Sequence, residues 1–411
     1  MTWMTQFPDR SDNGGSRPGE HGSTSANGLT IPSNIRRLED GRTLHVALTG
    51  TSNSILGNGF SAGIGTHPDV GLFLNKSTGA SGSVAIPAHM PNLNLTNYQY
   101  LLIDYCVNEA FLVSNGLETI ENVFRHMAAL IDFAVRQGCL PVLVNLPTRP
   151  AVGQDMPVPA MLEAEFVSRG VPMLDAQSLI ETLARRLGRP VEDLFLDEAH
   201  LKRPVAFEIG QCAVRLLERC RRAGAIDRVG RQTDAVYGRV GFIPAGALIT
   251  KGLSTVERSN RLLRLQLLQI GAGQSITVPA PPPGRRHVLR GVAYNATRSI
   301  GRLISEKDDL LLDVGRSHYF GMDRDLLLIS FPSPFPDRPI SDEVTFICEG
   351  VDEDDADKHP MAFEIAGIMV HDPDVLYPLH TISVHEDFRH LNDALDEDDF
   401  ARLETAWDKA G

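Results

Sequence analysis

The stretch Thr43-Leu44-His45-Val46-Ala47-Leu48-Thr49-Gly50-Thr51-Ser52-Asn53-Ser54 decides how this chain is read. A short apolar run, Leu44–Leu48, ends abruptly in a glycine and small polar residues. That pattern predicts a buried strand that breaks into a loop. In an open α/β sheet, reactive groups sit at the carboxyl ends of the strands, so Ser52 is the first candidate for chemistry.

Working outward, the region from Arg42 to Arg222 alternates strand and helix patterns. Predicted strands are 44–48, 70–74, 100–105, 140–145 and 171–174, each short, apolar and bounded by glycine, proline or polar residues. Such runs suit parallel strands buried on both faces. Between them, Ile120, Val123, Phe124, Met127, Leu130, Ile131 and Ala134 recur at three- and four-residue steps, and Gly138 stops the helix they imply. Residues 179–187 repeat the pattern, and a last helix starts at Pro204, a good first-turn residue. Alternating elements of this kind predict a parallel sheet covered by helices on both faces, a three-layer α/β/α arrangement.

Beyond Ala223 the character changes. Expected strands 263–270, 275–279, 287–294, 310–314, 326–331, 343–348 and 362–370 are separated by turn-forming segments such as Pro281-Pro282-Pro283-Gly284. Many short strands with proline and glycine turns predict an all-β sandwich, jelly-roll-like. The expected organisation is an unstructured segment 1–38, an α/β domain 39–222, a β-sandwich 223–380 and an acidic helix or tail 381–411. Residues 1–38 are rich in Gly, Ser, Asn and Asp and offer little to bury.

A serine hydroxyl is a poor nucleophile until a base takes its proton and donors hold the oxyanion that forms. The sequence offers a group for each task near an expected strand or helix end. Gly79 follows the second strand, where a missing side chain lets a backbone N–H approach a substrate. Asn108 follows the third and offers a side-chain amide. His200 and Asp197 precede the last helix and suit a base and its orienting carboxylate. Singly, each has an ordinary alternative: Ser52 and Asp197 as caps, Asn108 as a turn former, Gly79 as a bend.

In order, Gly-x-Ser-x-Ser at 50–54, Gly79, x-x-Asn at 106–108 and Asp-x-x-His at 197–200 resemble the blocks of the SGNH (GDSL-like) hydrolase family. The resemblance covers roughly residues 42–222. It implies Ser52 as nucleophile, His200 as general base and Asp197 as the third triad member. It also implies an oxyanion hole of the Ser52 N–H, the Gly79 N–H and the Asn108 side chain. Two positions depart from the family pattern. Thr51 stands where the motif has Asp, and Cys106-Val107-Asn108-Glu109 stands where it has Gly-x-Asn-Asp.

The activity so implied is a serine acetylesterase that removes a short acyl group from an oxygen ester of a carbohydrate or a small molecule. A β-sandwich beside such a domain is similar to carbohydrate-active arrangements. The alternatives are an O-acyltransferase of polysaccharide modification and a catalytically silent carbohydrate-binding protein. No metal or organic cofactor is required.

Composition narrows the partners. A net charge of -13 argues against a nucleic-acid or anionic-membrane surface. No apolar run approaches the roughly 20 residues of a membrane span. Cys106, Cys139, Cys212, Cys220 and Cys348 are scattered, without the CxxC spacing of a metal or redox site. With no secretory-type start, a cytoplasmic location is expected. The C-terminal histidines His359, His371, His380, His385 and His390 read as a solvated cluster, the acidic run 352–357 as a solvated loop, and 271–274 as a hairpin turn.

Overall fold

The computed structural model describes residues 28–29 and 43–410, apart from Ala80, Asp155, Ala225, Lys251, Arg261 and the segments 306–309, 317–318, 333–338 and 350–360. The acidic run 352–357 and most of segment 1–38 therefore lie outside the described residues. One correction falls within that segment. Gly28–Leu29 form a strand, β1, antiparallel to Ile226–Pro244, so backbone pairing orders a pair with little to bury.

From Leu44 the expected alternation is present. It runs β2 (Leu44–Gly50), α1 (Ser52–Ile55), α2 (Phe60–Gly65), β3 (Val70–Asn75), α3 (Ile86–His89), β4 (Tyr100–Asp104) and α4 (Cys106–Ser114). It continues with α5 (Ile120–Arg136), β5 (Leu140–Asn145), α6 (Pro157–Phe166), β6 (Met173–Asp175), α7 (Ala176–Leu187) and α8 (Arg203–Arg222). The five strands form one parallel sheet in the order β3-β2-β4-β5-β6. Strands β4 and β5 are buried throughout, which is why they read as unbroken apolar runs. Helix α5 starts where the Thr119 hydroxyl accepts the Asn122 N–H, and it buries Val123, Met127, Leu130, Ile131 and Ala134. It ends at Gly138, whose φ of +76° a side chain would resist.

The second half is antiparallel. Its strands are β7 (Ile226–Pro244), β8 (Ile249–Thr250), β9 (Ser254–Ser259), β10 (Arg264–Gly271), β11 (Ser275–Val278) and β12 (Val288–Asn295). They are followed by β13 (Ile300–Ser305), β14 (Leu310–Arg316), β15 (Leu328–Pro332), β16 (Val344–Glu349) and β17 (Met361–Val384). One sheet runs β1-β7-β17-β10-β9, with β12 on β17 and β15 on β12; the other runs β14-β13-β16-β11-β8. Ile270, Val292, Ile365 and Ile368 of the first meet Ile276, Leu303, Val344 and Phe346 of the second in one apolar core. That packing makes the sandwich. The segment 271–274 is not a hairpin: β10 and β11 belong to different sheets, and the turn carries the chain from one to the other.

The first sheet is apolar on its other face as well. Leu267, Ala293 and Met369, alternating with residues that face the sandwich core, pack with Leu328, Val84 and Ala88. Val84 and Ala88 lie between β3 and β4, so the α/β half covers this face. The long ribbon of β7 and β17 also lies against α5, and its Tyr237, Val240, Ile382 and Val384 join the α/β core.

The chain then returns to the parallel sheet. Met173 at the sheet edge donates its N–H to the Arg389 carbonyl at 2.9 Å, and Asn392 exchanges bonds with the Asp175 backbone. Helix α9 (Glu397–Ala410) docks on α8: Asp399, 1 % exposed, receives Arg215 and Arg219 at 2.6 Å each, and Trp407 is fully buried. Of the C-terminal histidines expected to form a solvated cluster, His385 is exposed, His390 is half-exposed and His359 lies outside the described residues, whereas His371 is not solvated. His371 is buried in β17, where the Arg290 guanidinium reaches its Nδ1 at 2.6 Å.

Candidate active site

Strand β2 ends at Gly50, beside Asp104 at the end of β4. A Cβ on Gly50 would collide with the Asp104 backbone carbonyl, so the two strand ends approach as closely as they do only because residue 50 has no side chain. The chain then turns into α1, with Thr51 at its cap and Ser52 in its first turn. Ser52 Oγ lies 3.0 Å from His200 Nε2. His200 Nδ1 is 2.9 Å from both Asp197 carboxylate oxygens. Residues 148 positions apart thus form a continuous Ser–His–Asp chain of hydrogen bonds.

The local sequence holds this geometry. Asp197 Oδ1 accepts the backbone N–H groups of Ala199 and His200, folding the loop on its own carboxylate. Partial burial works to raise the Asp197 pKa, but the His200 ring and these N–H groups together hold it below the usual carboxylate range. Asn53, next to the nucleophile, donates to the Ala199 carbonyl at 3.1 Å and ties the serine turn to the histidine loop. From the other side, Arg149 N–H donates to the Glu198 carbonyl at 2.8 Å.

Beneath the turn lies Asp104. It is fully buried, and its Oδ2 accepts the Thr51 hydroxyl at 3.0 Å and the Ser54 hydroxyl at 2.7 Å. Burial pushes its pKa up to about 6 against these bonds. The carboxyl group absent from position 51 is thus supplied to the same turn by β4. No motif spacing marks Asp104; its sequence signal is a charged residue ending an otherwise apolar run.

Gly79 is buried beside the nucleophile. A Cβ there would stand 3.1 Å from Ile55 Cδ1 and 3.9 Å from Ser52 Cβ. The loop that carries it is pinned by Asn75, which donates to the Ser54 carbonyl and accepts the Ser77 N–H. Asn108 lies in the first turn of α4, and its Nδ2 donates to the Ser81 carbonyl at 2.7 Å. Glu109, where the family pattern has Asp, accepts the Ser83 N–H and is fully buried, which pushes its pKa up to about 8. The structure thus joins Ser52, His200 and Asp197 in the triad, sets Gly79 beside Ser52, and bonds Asn108 to the Ser81 carbonyl two residues beyond Gly79. Asn53, Asn75 and Ser81 have no sequence signal beyond being polar.

Among the described residues no group of His, Cys, Asp and Glu is placed to hold a metal ion, and no helix is long and apolar enough to cross a membrane. All five cysteines are buried thiols.

No protein-family model and no curated protein sequence matches the chain. Solved structures do. The chain is similar to a two-domain esterase that is active on acetylated mannans and was co-crystallized with mannopentaose, with a TM-score of 0.56 at 12 % identity. The alignment spans 85 % of this chain and 96 % of that one. The likeness runs through both halves. It shows the fold: an α/β unit with a parallel sheet joined to a β-sandwich, the arrangement expected from the strand and helix patterns. The protein YxiM of Bacillus subtilis aligns with only 43 % of the chain, at 13 % identity and a TM-score of 0.34, over 56 % of its own length.

Proposed function

We propose that the chain is a serine esterase that removes a short acyl group, acetyl in the favoured case, from an oxygen ester of a carbohydrate. The observation that carries the reading is the hydrogen-bonded run Ser52–His200–Asp197, with links of 3.0 and 2.9 Å. Ser52 Oγ attacks the ester carbonyl while His200 Nε2 takes its proton. Asp197, held ionised, orients the ring and stabilises the imidazolium. The oxyanion is received by the Ser52 and Gly79 N–H groups and by the second N–H of the Asn108 amide, whose first is engaged by Ser81. His200 then protonates the departing alcohol, leaving acyl-Ser52. Water, deprotonated by His200, attacks that ester and releases the carboxylic acid and free Ser52.

The carbohydrate component rests on the two-domain likeness to an esterase of acetylated mannans. The support around the triad, from buried Asn53 and Asp104 and half-buried Asn75, favours catalysis over the silent carbohydrate-binding alternative, since a binding protein has no use for a base held on a serine. Whether a sugar hydroxyl replaces water, giving an O-acyltransferase, is an acceptor competition for one acyl-enzyme.

The test is hydrolysis of a chromogenic acetyl ester by wild type, Ser52→Ala and His200→Ala. Each variant should lose about a thousandfold or more in kcat, and the double variant should be no slower than the slower single, because the triad acts as a unit. Wild-type rates in Ser52→Ala, with the fold intact by circular dichroism, would sink the proposal.

A further inference from the structure

Resting on that reading, we infer that Ser81 is a positioning residue through which the β-sandwich sets the oxyanion donors. The inference starts at a sheet edge. Strand β15 pairs with β12 alone, so one of its rims has no strand neighbour among the described residues. An edge N–H buried without a partner is costly. Ser330 is 2 % exposed, and its N–H donates to Ser81 Oγ at 3.1 Å. The α/β half thus caps the sandwich edge with one hydroxyl.

The same residue faces the site from its other end. The Ser81 carbonyl accepts the Asn108 Nδ2 at 2.7 Å. Ser81 stands two residues from Gly79, a second of the three candidate donors, and is itself 1 % exposed. One buried residue therefore bonds the oxyanion amide through its backbone and the second domain through its side chain.

The surrounding contacts make the coupling stiff. Val84 packs with Leu328 and Met369 of the sheet. Lys76 Nζ reaches the Leu262 carbonyl at 3.4 Å, anchoring the start of the segment to the sandwich. Ser83 bonds Glu109 through its N–H and His126 through its hydroxyl at 3.2 Å. The segment 76–84 is thereby clamped between α4, α5 and the sheet. Removing the Ser81 hydroxyl breaks the hydrogen bond that joins its middle to β15.

The experiment is a double-mutant cycle on the acetyl ester with Ser81→Ala, Asn108→Ala and the pair, with Ser52→Ala as control. A lost oxyanion donor costs roughly a hundredfold in kcat, so Asn108→Ala should fall by that much. Ser81→Ala should lower kcat about tenfold with KM within about twofold, and the pair should lie within about twofold of Asn108→Ala alone. A purely structural Ser81 would multiply its loss onto that of Asn108→Ala, and this outcome overturns the inference, as does unchanged kcat in Ser81→Ala. Should Ser81→Ala not fold, Ser81→Cys, of nearly the same volume with a weaker acceptor, is read by the same cycle. Activity surviving in Ser52→Ala would instead refute the esterase reading itself, so the two failures are told apart.

Discussion

Glu109 sits at full burial with one carboxyl oxygen on the Ser83 N–H, and its pKa is pushed up to about 8 from 4.5. The perturbation to make is Glu109→Gln, the isostere of the protonated acid. In the native state Glu109 stays protonated up to about pH 8, whereas in the unfolded chain it ionises near 4.5. Between those values the folded protein holds more protons, so its stability falls as pH rises and levels off above about 8. Each pH unit in that window removes up to about 1.4 kcal/mol, which sets a ceiling of roughly 5 kcal/mol for the whole window. Glutamine cannot ionise and feels none of this. Urea unfolding of both proteins at pH 5, 6.5 and 8, followed by circular dichroism, gives the stability difference at each pH. The difference should grow in favour of Glu109→Gln across the series, by a few kcal/mol in all. A difference that does not change with pH would show that Glu109 ionises in the fold as readily as in the open chain, and the reasoning would be wrong.

Two further outcomes follow from contacts described above. Asn53→Ala removes the bond that ties the serine turn to the Ala199 carbonyl; kcat on the acetyl ester should fall about tenfold with a stability loss of about 1 kcal/mol, and an unchanged kcat would count against the role. Trp407→Ala empties a fully buried site on α9; chemical denaturation should show a loss of about 3–5 kcal/mol, and a loss under about 1 would mean that the helix is not docked.

Much of the α/β half was legible because its physics is local. Buried parallel strands are apolar runs, and α5 announces itself by period and by Gly138. Ser52, Asp197 and His200 were legible because a triad needs particular residue types at strand and helix ends. The β half was less so. Strand β7 reads Ile226-Asp227-Arg228-Val229-Gly230-Arg231 at its start, too polar and too rich in glycine to suggest a strand. What makes it one is the ladder with β17, a partner more than a hundred residues away. The expected strand 362–370 stops short of Pro373, yet β17 continues to Val384 because a register shift between Asp372 and Leu376 accommodates the proline in a bulge. Ser81 was invisible for a similar reason: a serine acquires its role only from what other elements place opposite it.

The docking of α9 on α8 bears on how this molecule is made. A ribosome releases a chain from its first residue onward, and α8 emerges long before the segment that covers it. Until then Arg215 and Arg219 lack Asp399, and the apolar bed of Trp407 is open to water. The edge of β6 likewise waits for residues 389–392. The parallel-sheet unit, although encoded first, is completed last, after the whole sandwich has been threaded between its two parts. A nascent chain stalled inside the sandwich would display a bare helix face and an open sheet edge, the features by which chaperones and proteases tell unfinished proteins from finished ones.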